Sequence, residues 1–584
     1  MKILLTALNT KYIHTTLALY YLKAFSLDLG HKIYIKEFTI NRDMIEVMGE
    51  INQVQADIIC FSCYIWNIEH TLQLCSMIKK VSPQTEIILG GPEVSHDYDT
   101  FMQENKSIDY LIFGEGEATF RQFLDYKARD LDLKQVEGLV WREEGRITRV
   151  NRERPLIDPL DSIPFPYGDE DMRDFTGKII YYETSRGCPF NCRYCLSSTL
   201  HSVRYFSLER VKKDLAWLIA SGTKLVKFVD RTFNCHQERT KEILAYLLTF
   251  QDQKIKFHFE IAADLLDDEM IDLFRQAPPG YFQMEIGVQS TNRETLSIIN
   301  RKMDFSRVRK MVRKLKKLNN VHLHLDLIAG LPGESMHSFE KSFNDVYFMQ
   351  PHQIQLGFLK VLKGTGLRDQ AKEYGLVFQD QPPYEILQTE ALSFDQLTAL
   401  KAMENTLEKY YNSGKFVQTL AVATGAYSQG PFDFFHRLST FLRERAVADV
   451  GTEAQAQLFL EFLSLIYPQK ELMFRDLVKL DRLLLGRKMQ IPCWLDESNT
   501  GEELTIKFVR REDNVHKYLP HLDGLSAKNI YKSILVQKFK HSFKIVNGVV
   551  ESMKENPSYI LFDYSCLSGV SGYPTVTCLN EIWL

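Results

Sequence analysis

Long hydrophobic runs are missing from this sequence, and so is an excess of charge of either sign. No apolar run approaches the roughly 20 residues needed to cross a bilayer. The opening Met1-Lys-Ile-Leu-Leu5 is too short for the apolar core of a signal peptide and predicts a buried strand. The 71 Lys and Arg nearly balance the 75 Asp and Glu, for a formal net charge of −4. We therefore expect neither a membrane nor a nucleic acid as a partner.

Cysteine is scarce too, with ten residues in 584, far below the density of a disulfide-stabilised scaffold. Such usage predicts a protein of the reducing cytoplasm. Seven cysteines are scattered and are predicted to be small buried hydrophobic residues: Cys60, Cys63, Cys75, Cys235, Cys493, Cys566 and Cys578. Hydrophobic content of 45% is that of a globular protein, and the length predicts about three or four domains.

The other three cysteines lie together in Ser185-Arg-Gly-Cys-Pro-Phe-Asn-Cys-Arg-Tyr-Cys195. A structural zinc site needs four protein ligands, and a Cys3His site would have to recruit His201. A four-iron cluster held by three thiolates instead leaves one iron with an open coordination position. The spacing favours the cluster, with Cys188, Cys192 and Cys195 as its ligands.

This Cys-x3-Cys-x2-Cys motif, with Tyr194 before its last cysteine, resembles that of the radical S-adenosylmethionine (SAM) enzymes. The resemblance implies a [4Fe-4S] cluster whose open iron chelates SAM. It also implies a 5′-deoxyadenosyl radical and an electron donor such as flavodoxin or ferredoxin.

Strands and amphipathic helices alternate after residue 178, which predicts a partial (β/α)6 barrel with its chemistry at the carboxyl ends of the strands. The predicted strands are 178–187, 224–231, 256–262, 281–288, 321–329 and 353–362. By similarity to the coproporphyrinogen-dehydrogenase-like branch of the family, Glu260 would meet the SAM ammonium and Arg301 its carboxylate. Gln289 and Asp326 would hold the ribose hydroxyls. Gly330 and Gly333 would admit the adenine.

One segment departs from the family pattern. The second barrel strand ends in Val229-Asp-Arg-Thr-Phe-Asn234 instead of the glycine-rich acidic segment that binds the ammonium in many members. Glu260 would take over that role. The alternative is that Glu260 and Asp326 are solvated carboxylates at strand ends.

Residues 1–150 show a second alternating pattern, with strands predicted at 2–8, 32–37, 57–63, 86–90 and 109–113. Five such strands predict a doubly wound, flavodoxin-like sheet with a ligand crevice at their carboxyl ends. Gly90-Gly-Pro92 and Gly114-Glu-Gly-Glu117 follow two of these strands. Together they resemble the cobalamin-binding domain of one radical SAM branch, with Gly90, Gly91, Pro92, Gly114 and Gly116 as cobalamin contacts.

The Asp-x-His-x-x-Gly motif that donates a histidine to cobalt is absent, and His14 and His96 lack its context. Cobalamin is therefore expected to bind without a histidine ligand. Trp66 is a candidate to cover the lower face of the cobalt, and a core tryptophan is the alternative.

The predicted domains are a cobalamin-binding domain (1–150), a linker (151–177), a radical SAM core (178–370) and a mixed, mostly helical C-terminal domain (371–584). In the last domain we expect helices at 394–404 and 454–467 and strands near 504–510 and 558–564. Residues 507–544 hold nine Lys and Arg against three Asp and Glu. They form either a solvated face or a site for an anionic substrate or partner.

The resemblance implies a methyl transfer to an unactivated carbon through the deoxyadenosyl radical. A rearrangement, reduction or ring closure with the same cofactors is the alternative. An RNA methylthiotransferase and a cofactor carrier are further alternatives, although Cys60, Cys63 and Cys75 lie too close together for the methylthiotransferase triad.

Overall fold

The computed structural model describes residues 1–129, 132–143, 147–199, 202–445, 450–489, 491–496, 500–546 and 548–579. None of the helices in these ranges is both long and apolar enough to cross a membrane. All ten cysteines are free thiols.

The N-terminal domain is built on a seven-stranded sheet in the order β2-β1-β3-β4-β5-β6-β7. Its strands are β1 (Lys2–Asn9), β2 (Lys32–Thr39), β3 (Ile58–Ser62), β4 (Glu86–Gly90), β5 (Tyr110–Ile112), β6 (Leu139–Glu143) and β7 (Ile147–Val150). The first five are parallel and confirm the predicted doubly wound order. The antiparallel strands β6 and β7 extend the edge and were not predicted.

Helices cover both faces of this sheet: α1 (Leu17–Phe25), α2 (Met44–Val54), α3 (Ile68–Val81), α4 (Tyr98–Glu104) and α5 (Gly116–Arg129). Alternate residues of β1 face opposite sides, as a strand requires. Leu4 and Leu8 join the core of one face. Ile3 and Leu5 belong to a second core that continues into the barrel. The predicted linker contains α6 (Asp169–Asp174).

The second domain is the predicted partial barrel, with six parallel strands in the order β15-β14-β13-β12-β11-β8. They are β8 (Ile180–Tyr182), β11 (Leu225–Phe228), β12 (Lys256–Ile261), β13 (Phe282–Gln289), β14 (His322–Ala329) and β15 (Gln353–Phe358). The strand predicted at 178–187 is shorter, since β9 (Ser185–Arg186) leaves the barrel to pair with β10 (Arg204–Tyr205). The barrel helices are α7 (Leu208–Ala220), α8 (Gln237–Leu248), α9 (Asp268–Gln276), α10 (Arg293–Ile298), α11 (Phe305–Leu318) and α12 (Met336–Tyr347).

The C-terminal domain is mostly helical, as predicted. Its helices are α13 (Gly366–Asp369), α14 (Phe394–Leu407), α15 (Val417–Gly425), α16 (Pro431–Glu444), α17 (Thr452–Ile466), α18 (Glu471–Leu484), α19 (Gly501–Val509), α20 (Glu512–Tyr518) and α21 (Ala527–Ser533). Its strands are β16 (Val377–Phe378), β17 (Ile386–Gln388), β18 (Ile534–Phe539), β19 (Ser542–Val546), β20 (Val549–Lys554), β21 (Ser558–Ser568) and β22 (Tyr573–Leu579).

Two predictions for this domain are wrong. The strand near 504–510 is helix α19, because the buried Leu504 and Phe508 recur at helical spacing. Cys493, Cys566 and Cys578 are exposed instead of buried. Cys493 lies in a turn, Cys566 lies in β21, and Cys578 lies in β22 with its Sγ 3.3 Å from the Phe543 carbonyl.

Candidate functional site

The cysteine loop runs from Cys188 to Cys195 at the carboxyl end of the first barrel strand. Cys188 and Cys192 are buried, and Cys195 is half-buried. The loop is held from the opposite side of the barrel, because the Arg193 amide donates to the Ile299 carbonyl at 3.0 Å. Three thiols are thus presented at the barrel mouth, where the motif predicts the cluster.

A single-ion site does not account for these thiols. Within the described ranges, no three acidic, histidine or cysteine side chains converge on one ion-sized point. His201, which a Cys3His zinc site would need, lies outside the described residues. A four-iron cluster holds its thiolate ligands farther apart than one ion does, so this arrangement remains compatible with a cluster.

Gly287 organises the neighbouring strand end. A methyl group added at Gly287 would lie 2.3 Å from Gln289 Nε2 and 3.4 Å from an Arg301 nitrogen. Asp326 lies beside Gly287 on the adjacent strand. Gln289 has a φ of +69°, a strained conformation for a residue other than glycine that is common at functional sites. The structure therefore brings together three of the four side chains predicted to contact SAM.

Arg301 reaches from the loop before α11 toward the cysteines. Its guanidinium donates to the Tyr194 hydroxyl at 3.2 Å, lies 3.7 Å from Cys192 Sγ and also donates to the Gly287 carbonyl. Among the described residues, Gln289 Oε1, Arg301 Nε and Asp326 Oδ1 are nevertheless buried without hydrogen-bond partners, although His324 Nε2 lies 3.3 Å from Asp326 Oδ1. Buried polar atoms are nearly always satisfied, so these three fit a polar ligand such as SAM.

Glu260 lies one layer deeper, opposite Glu285 on the neighbouring strand. Burial raises the pKa of Glu260 to about 7, against the attraction of Arg231. Burial acts on Glu285 as well, but His258 and Lys227 outweigh it and lower the pKa of Glu285 to about 2. Lys227 Nζ is 3.0 Å from Glu285. Glu260 therefore has no cation as close as the one that Glu285 has. This is the environment expected of a carboxylate that binds the ammonium group of a ligand.

The two glycines predicted to admit adenine have protein neighbours. A methyl group added at Gly330 would lie 2.6 Å from Ile386 Cγ2, and one at Gly333 would lie 2.7 Å from Ile298 Cδ1. Packing against these side chains is therefore reason enough for glycine at both positions. Contact with adenine through the backbone stays a prediction.

A cavity of about 700 Å³ lies between the N-terminal sheet and the barrel mouth. All six residues predicted to contact cobalamin line it: Trp66, Gly90, Gly91, Pro92, Gly114 and Gly116. The barrel contributes Tyr181, Gly187 and Arg231 to the opposite wall. The cavity thus reaches Gly187 and Leu196, which flank the cysteine motif, although neither the cluster cysteines nor the predicted SAM contacts line it.

The aromatic wall of this cavity is Trp66 stacked on Tyr64, with ring centroids 4.4 Å apart. Trp66 is 42% exposed, which excludes a core tryptophan. His14 lines the cavity, but its Nδ1 lies 2.7 Å from the Tyr181 hydroxyl. His96 packs against Gly364 instead. Of these two histidines only His14 lines the cavity, and the binding of cobalamin without a histidine ligand stays a prediction.

Sequence reasoning missed the residues that join the two domains. Arg186 is enclosed by carboxylates, at 3.4 Å from Glu115, 2.5 Å from Glu117 and 2.8 Å from Glu183. Glu115 also pairs with Arg204 at 2.5 Å. The acidic residues of Gly114-Glu-Gly-Glu117 therefore bind the barrel, while its glycines line the cavity. The sequence offered one indication of this contact between the domains, because Arg186 directly precedes the Gly-Cys of the cysteine motif.

The atypical second strand end has a structural role. Asp230 is buried and accepts hydrogen bonds from the Thr184 amide at 2.9 Å and from the Thr184 and Ser185 hydroxyls at 2.6 and 2.5 Å. It therefore holds the chain entering the cysteine loop and is not free for a ligand ammonium.

Three protein families match consecutive parts of the chain. Residues 3–124 match a B12 binding domain, residues 182–346 the Radical SAM superfamily, and residues 372–562 a family described as "Protein of unknown function (DUF4080)". The first two matches coincide with the cavity-bearing domain and the barrel. The chain therefore carries a B12-binding domain followed by a radical SAM domain.

Among its relatives is the cobalamin-dependent radical SAM methyltransferase TokK of Streptomyces tokunonensis. It is 26% identical over 420 residues, which are 67% of this chain and 59% of TokK. The chain spans about 60% of the length of the curated relatives it matches most strongly.

Two solved structures share the fold. The radical SAM methyltransferase TsrM from Kitasatospora setae has a TM-score of 0.56 at 16% identity, covering 66% of this chain and 82% of TsrM. The cobalamin-dependent SAM radical enzyme OxsB has a TM-score of 0.57 at 16% identity, covering 83% of this chain and 79% of OxsB.

The cofactors of these two domains are a [4Fe-4S] cluster, SAM and cobalamin. The cysteine loop supplies thiolates for the cluster, and the unsatisfied polar atoms near Gly287 fit SAM. The cavity between the domains suits cobalamin.

Proposed function

We propose that this enzyme transfers a methyl group to an unactivated carbon atom. The observation that carries the proposal is the single cavity, lined both by the predicted cobalamin residues and by the barrel mouth. When bound, the three cofactors supply a substrate radical and a methyl donor. The protein's part is to hold cobalamin in this cavity, to hold the cluster and SAM at the barrel mouth beside it, and to join the domains through Arg186.

The substrate of this reaction is proposed to be an anion that is held by Arg231. This side chain lines the cavity and is exposed, and it makes no ion pair with any described residue. A guanidinium in the wall of this cavity that acts on Glu260 only from beyond ion-pair distance suits a carboxylate or a phosphate. We further propose a reducing, cytoplasmic setting, consistent with ten free thiols.

The alternative is a rearrangement, reduction or ring closure without methyl transfer. A methylthiotransferase is less well supported, because Cys60, Cys63 and Cys75 are all buried in the N-terminal core. Burial raises the pKa of the Cys60 and Cys63 thiols, which disfavours the thiolates that a second cluster would need.

The test uses reconstituted holo-protein, dithionite and SAM carrying a labelled methyl group. We expect 5′-deoxyadenosine, S-adenosylhomocysteine and, with substrate, a product heavier by one labelled methylene. Replacing Cys188, Cys192 and Cys195 by Ala should remove both the cluster absorbance and deoxyadenosine. Formation of deoxyadenosine without S-adenosylhomocysteine would favour the alternative. If neither product formed, the proposal would be refuted.

The substrate class has a separate test. Metabolite fractions separated by charge are added to the reaction, and deoxyadenosine formation is followed. We expect the stimulating fraction to be anionic, and its half-maximal concentration to rise more in Arg231→Gln than in Arg231→Lys. Stimulation by a neutral or cationic fraction would exclude an anionic substrate.

A further inference from the structure

Helix α11 has an unusually basic surface. Its 14 residues, FSRVRKMVRKLKKL, include seven Lys and Arg and no acidic residue. Val308, Met311, Val312 and Leu315 form the buried stripe that packs on the barrel. Arg313 lies four residues from both Arg309 and Lys317, and like charges at that spacing destabilise a helix. The helix therefore keeps this charge at some cost to its own stability.

Three of the seven cations of α11 have partners within the protein, and a fourth, Lys310, is exposed and acts electrostatically on Asp268. Lys314 pairs with Asp268, an Arg307 nitrogen donates to the Leu266 carbonyl at 2.9 Å, and Lys316 Nζ is 3.3 Å from His352. The outward cations differ. Arg309, Arg313 and Lys317, with Lys302 just before the helix, are exposed and form no ion pair in the part of the chain that the structure describes. We call these four residues the basic face.

The basic face is continuous with the rim of the cysteine loop. Asn191, between Cys188 and Cys192, is exposed, and its carbonyl accepts a hydrogen bond from Asn300 Nδ2 at 2.9 Å. Lys302 follows two residues later, while Arg301 between them points inward to Cys192. Helix α11 then begins at Phe305, and Arg313 lies about 12 Å further along its axis. One protein surface therefore carries both the outer side of the cysteine loop and the basic face.

We propose that an acidic one-electron carrier protein docks on the basic face to reduce the cluster. The inference rests on the proposed radical function, since only that function needs an electron here. The carrier is oxidised by one electron, which passes through the cluster to the SAM sulfonium. Its C5′–S bond then breaks to give methionine and the 5′-deoxyadenosyl radical. Four unpaired cations beside the cysteine loop give an acidic surface both attraction and orientation.

The test measures binding and electron delivery separately, with purified flavodoxin as the probe and holo-protein throughout. The variant combines Arg309→Glu, Arg313→Glu and Lys317→Glu, which keep helix-forming residues on the surface. We expect its Kd for flavodoxin to be weaker by about tenfold or more, from the loss of complementary charge. When reduced flavodoxin is limiting, deoxyadenosine formation by the variant should fall by a similar factor. With dithionite as the reductant, it should be unchanged.

A control with the same change of charge combines Arg510→Glu, Lys528→Glu and Lys532→Glu, at exposed cations of the C-terminal domain. It should bind flavodoxin like the wild type. Added salt should weaken wild-type binding and affect the α11 variant much less. Unchanged flavodoxin binding by the α11 variant, or an equal loss in the control, would overturn the proposal. Failure of wild-type protein with dithionite would instead refute the radical function itself.

A nucleic acid is the rival occupant of the basic face. If the α11 variant lost binding to a short RNA oligonucleotide while still binding flavodoxin, the face would be a nucleic-acid site and the carrier proposal would be wrong.

Discussion

At the residue scale, Glu260 makes the predicted SAM site sensitive to pH. Burial raises its pKa from 4.5 to about 7, and the charged groups around it are Arg231, Lys227, Glu285 and Asp230. The ionised form is the one that binds an ammonium. We expect SAM affinity to fall as the pH drops from 8 to 6, approaching tenfold per unit below 7. Titrations of SAM binding at several pH values measure this.

Glu260→Gln is the control, since it keeps the shape and removes the charge. Its SAM affinity should be weaker and flat over the same pH range. The pH dependence of folding stability runs in the opposite direction to that of SAM affinity. A raised carboxyl pKa contributes stability below pH 4.5 that is lost as the pH rises through 7. Apo-protein should therefore lose stability over the range in which SAM affinity improves. A flat wild-type affinity profile would remove Glu260 from the ammonium site.

Single residues differ in how far the sequence predicts them. The cysteines and the polar residues at the strand ends come from local motifs, and the structure gathers Gln289, Arg301 and Asp326 around Gly287. Their contacts to SAM stand as predictions. The packing of Gly330 against Ile386 joins residues far apart in the chain, and no local pattern reports such a contact.

At the element scale, the turn after β4 depends on Gly91. Its φ is +111°, and a methyl group there would lie 2.5 Å from the Cys63 carbonyl oxygen. Close approach of two loops therefore requires this glycine before any corrin is present. Because the backbone must shift to admit the methyl group, we expect Gly91→Ala to destabilise cobalamin-free protein by about 1–3 kcal/mol. Its melting temperature should fall accordingly.

Gly90→Ala is the matched control. A methyl group at Gly90 would meet the Ile112 carbonyl oxygen at 3.6 Å, an ordinary contact. Calorimetry of both apo-variants should show a much larger change for Gly91→Ala. If Gly91→Ala melted like the wild type and only failed to bind cobalamin, the glycine would serve the corrin alone.

Helices and strands with a clear hydrophobic period could be predicted from the sequence, and short elements could not. The buried parallel strands gave apolar runs bounded by glycine and polar turns. Strands β6 and β7 are antiparallel runs of five and four residues, of which only β7 lies at the sheet edge, and runs this short carry too little pattern to predict them. The run at 504–510 is too short for periodicity alone to separate strand from helix, and packing against β18 decides for a helix.

At the scale of the whole molecule, the two cofactor domains are joined by buried charge. Arg186 belongs to β9, which follows the first barrel strand, and Glu115 and Glu117 belong to the loop whose glycines line the cavity. Charge pairing at this depth fixes geometry more than it adds stability. The position of the cobalamin domain over the barrel mouth is therefore coupled to the chain that enters the cysteine loop.

Removing Arg186 tests this coupling. Arg186→Gln would leave Glu117 and Glu183 buried without their cation, which costs about 3–5 kcal/mol. We expect a lower unfolding midpoint for the apo-protein, and separate transitions for the two domains when intrinsic fluorescence and circular dichroism are compared. Arg121→Gln breaks an ion pair with Asp28, whose side chain is 71% exposed, and should cost no more than about 1 kcal/mol.

The pH dependence of stability distinguishes lost charge from lost packing in Arg186→Gln. Burial raises the pKa of Glu183 even with Arg186 present. Without the guanidinium that carboxyl should be protonated more readily, and a neutral carboxyl is far less costly to bury. The variant should therefore recover stability relative to the wild type as the pH is lowered from about 8 toward 5.5, whereas lost packing would not respond to pH. A deficit that stayed constant over this range, or one no larger than that of Arg121→Gln, would show that Arg186 does not hold the domains together by charge.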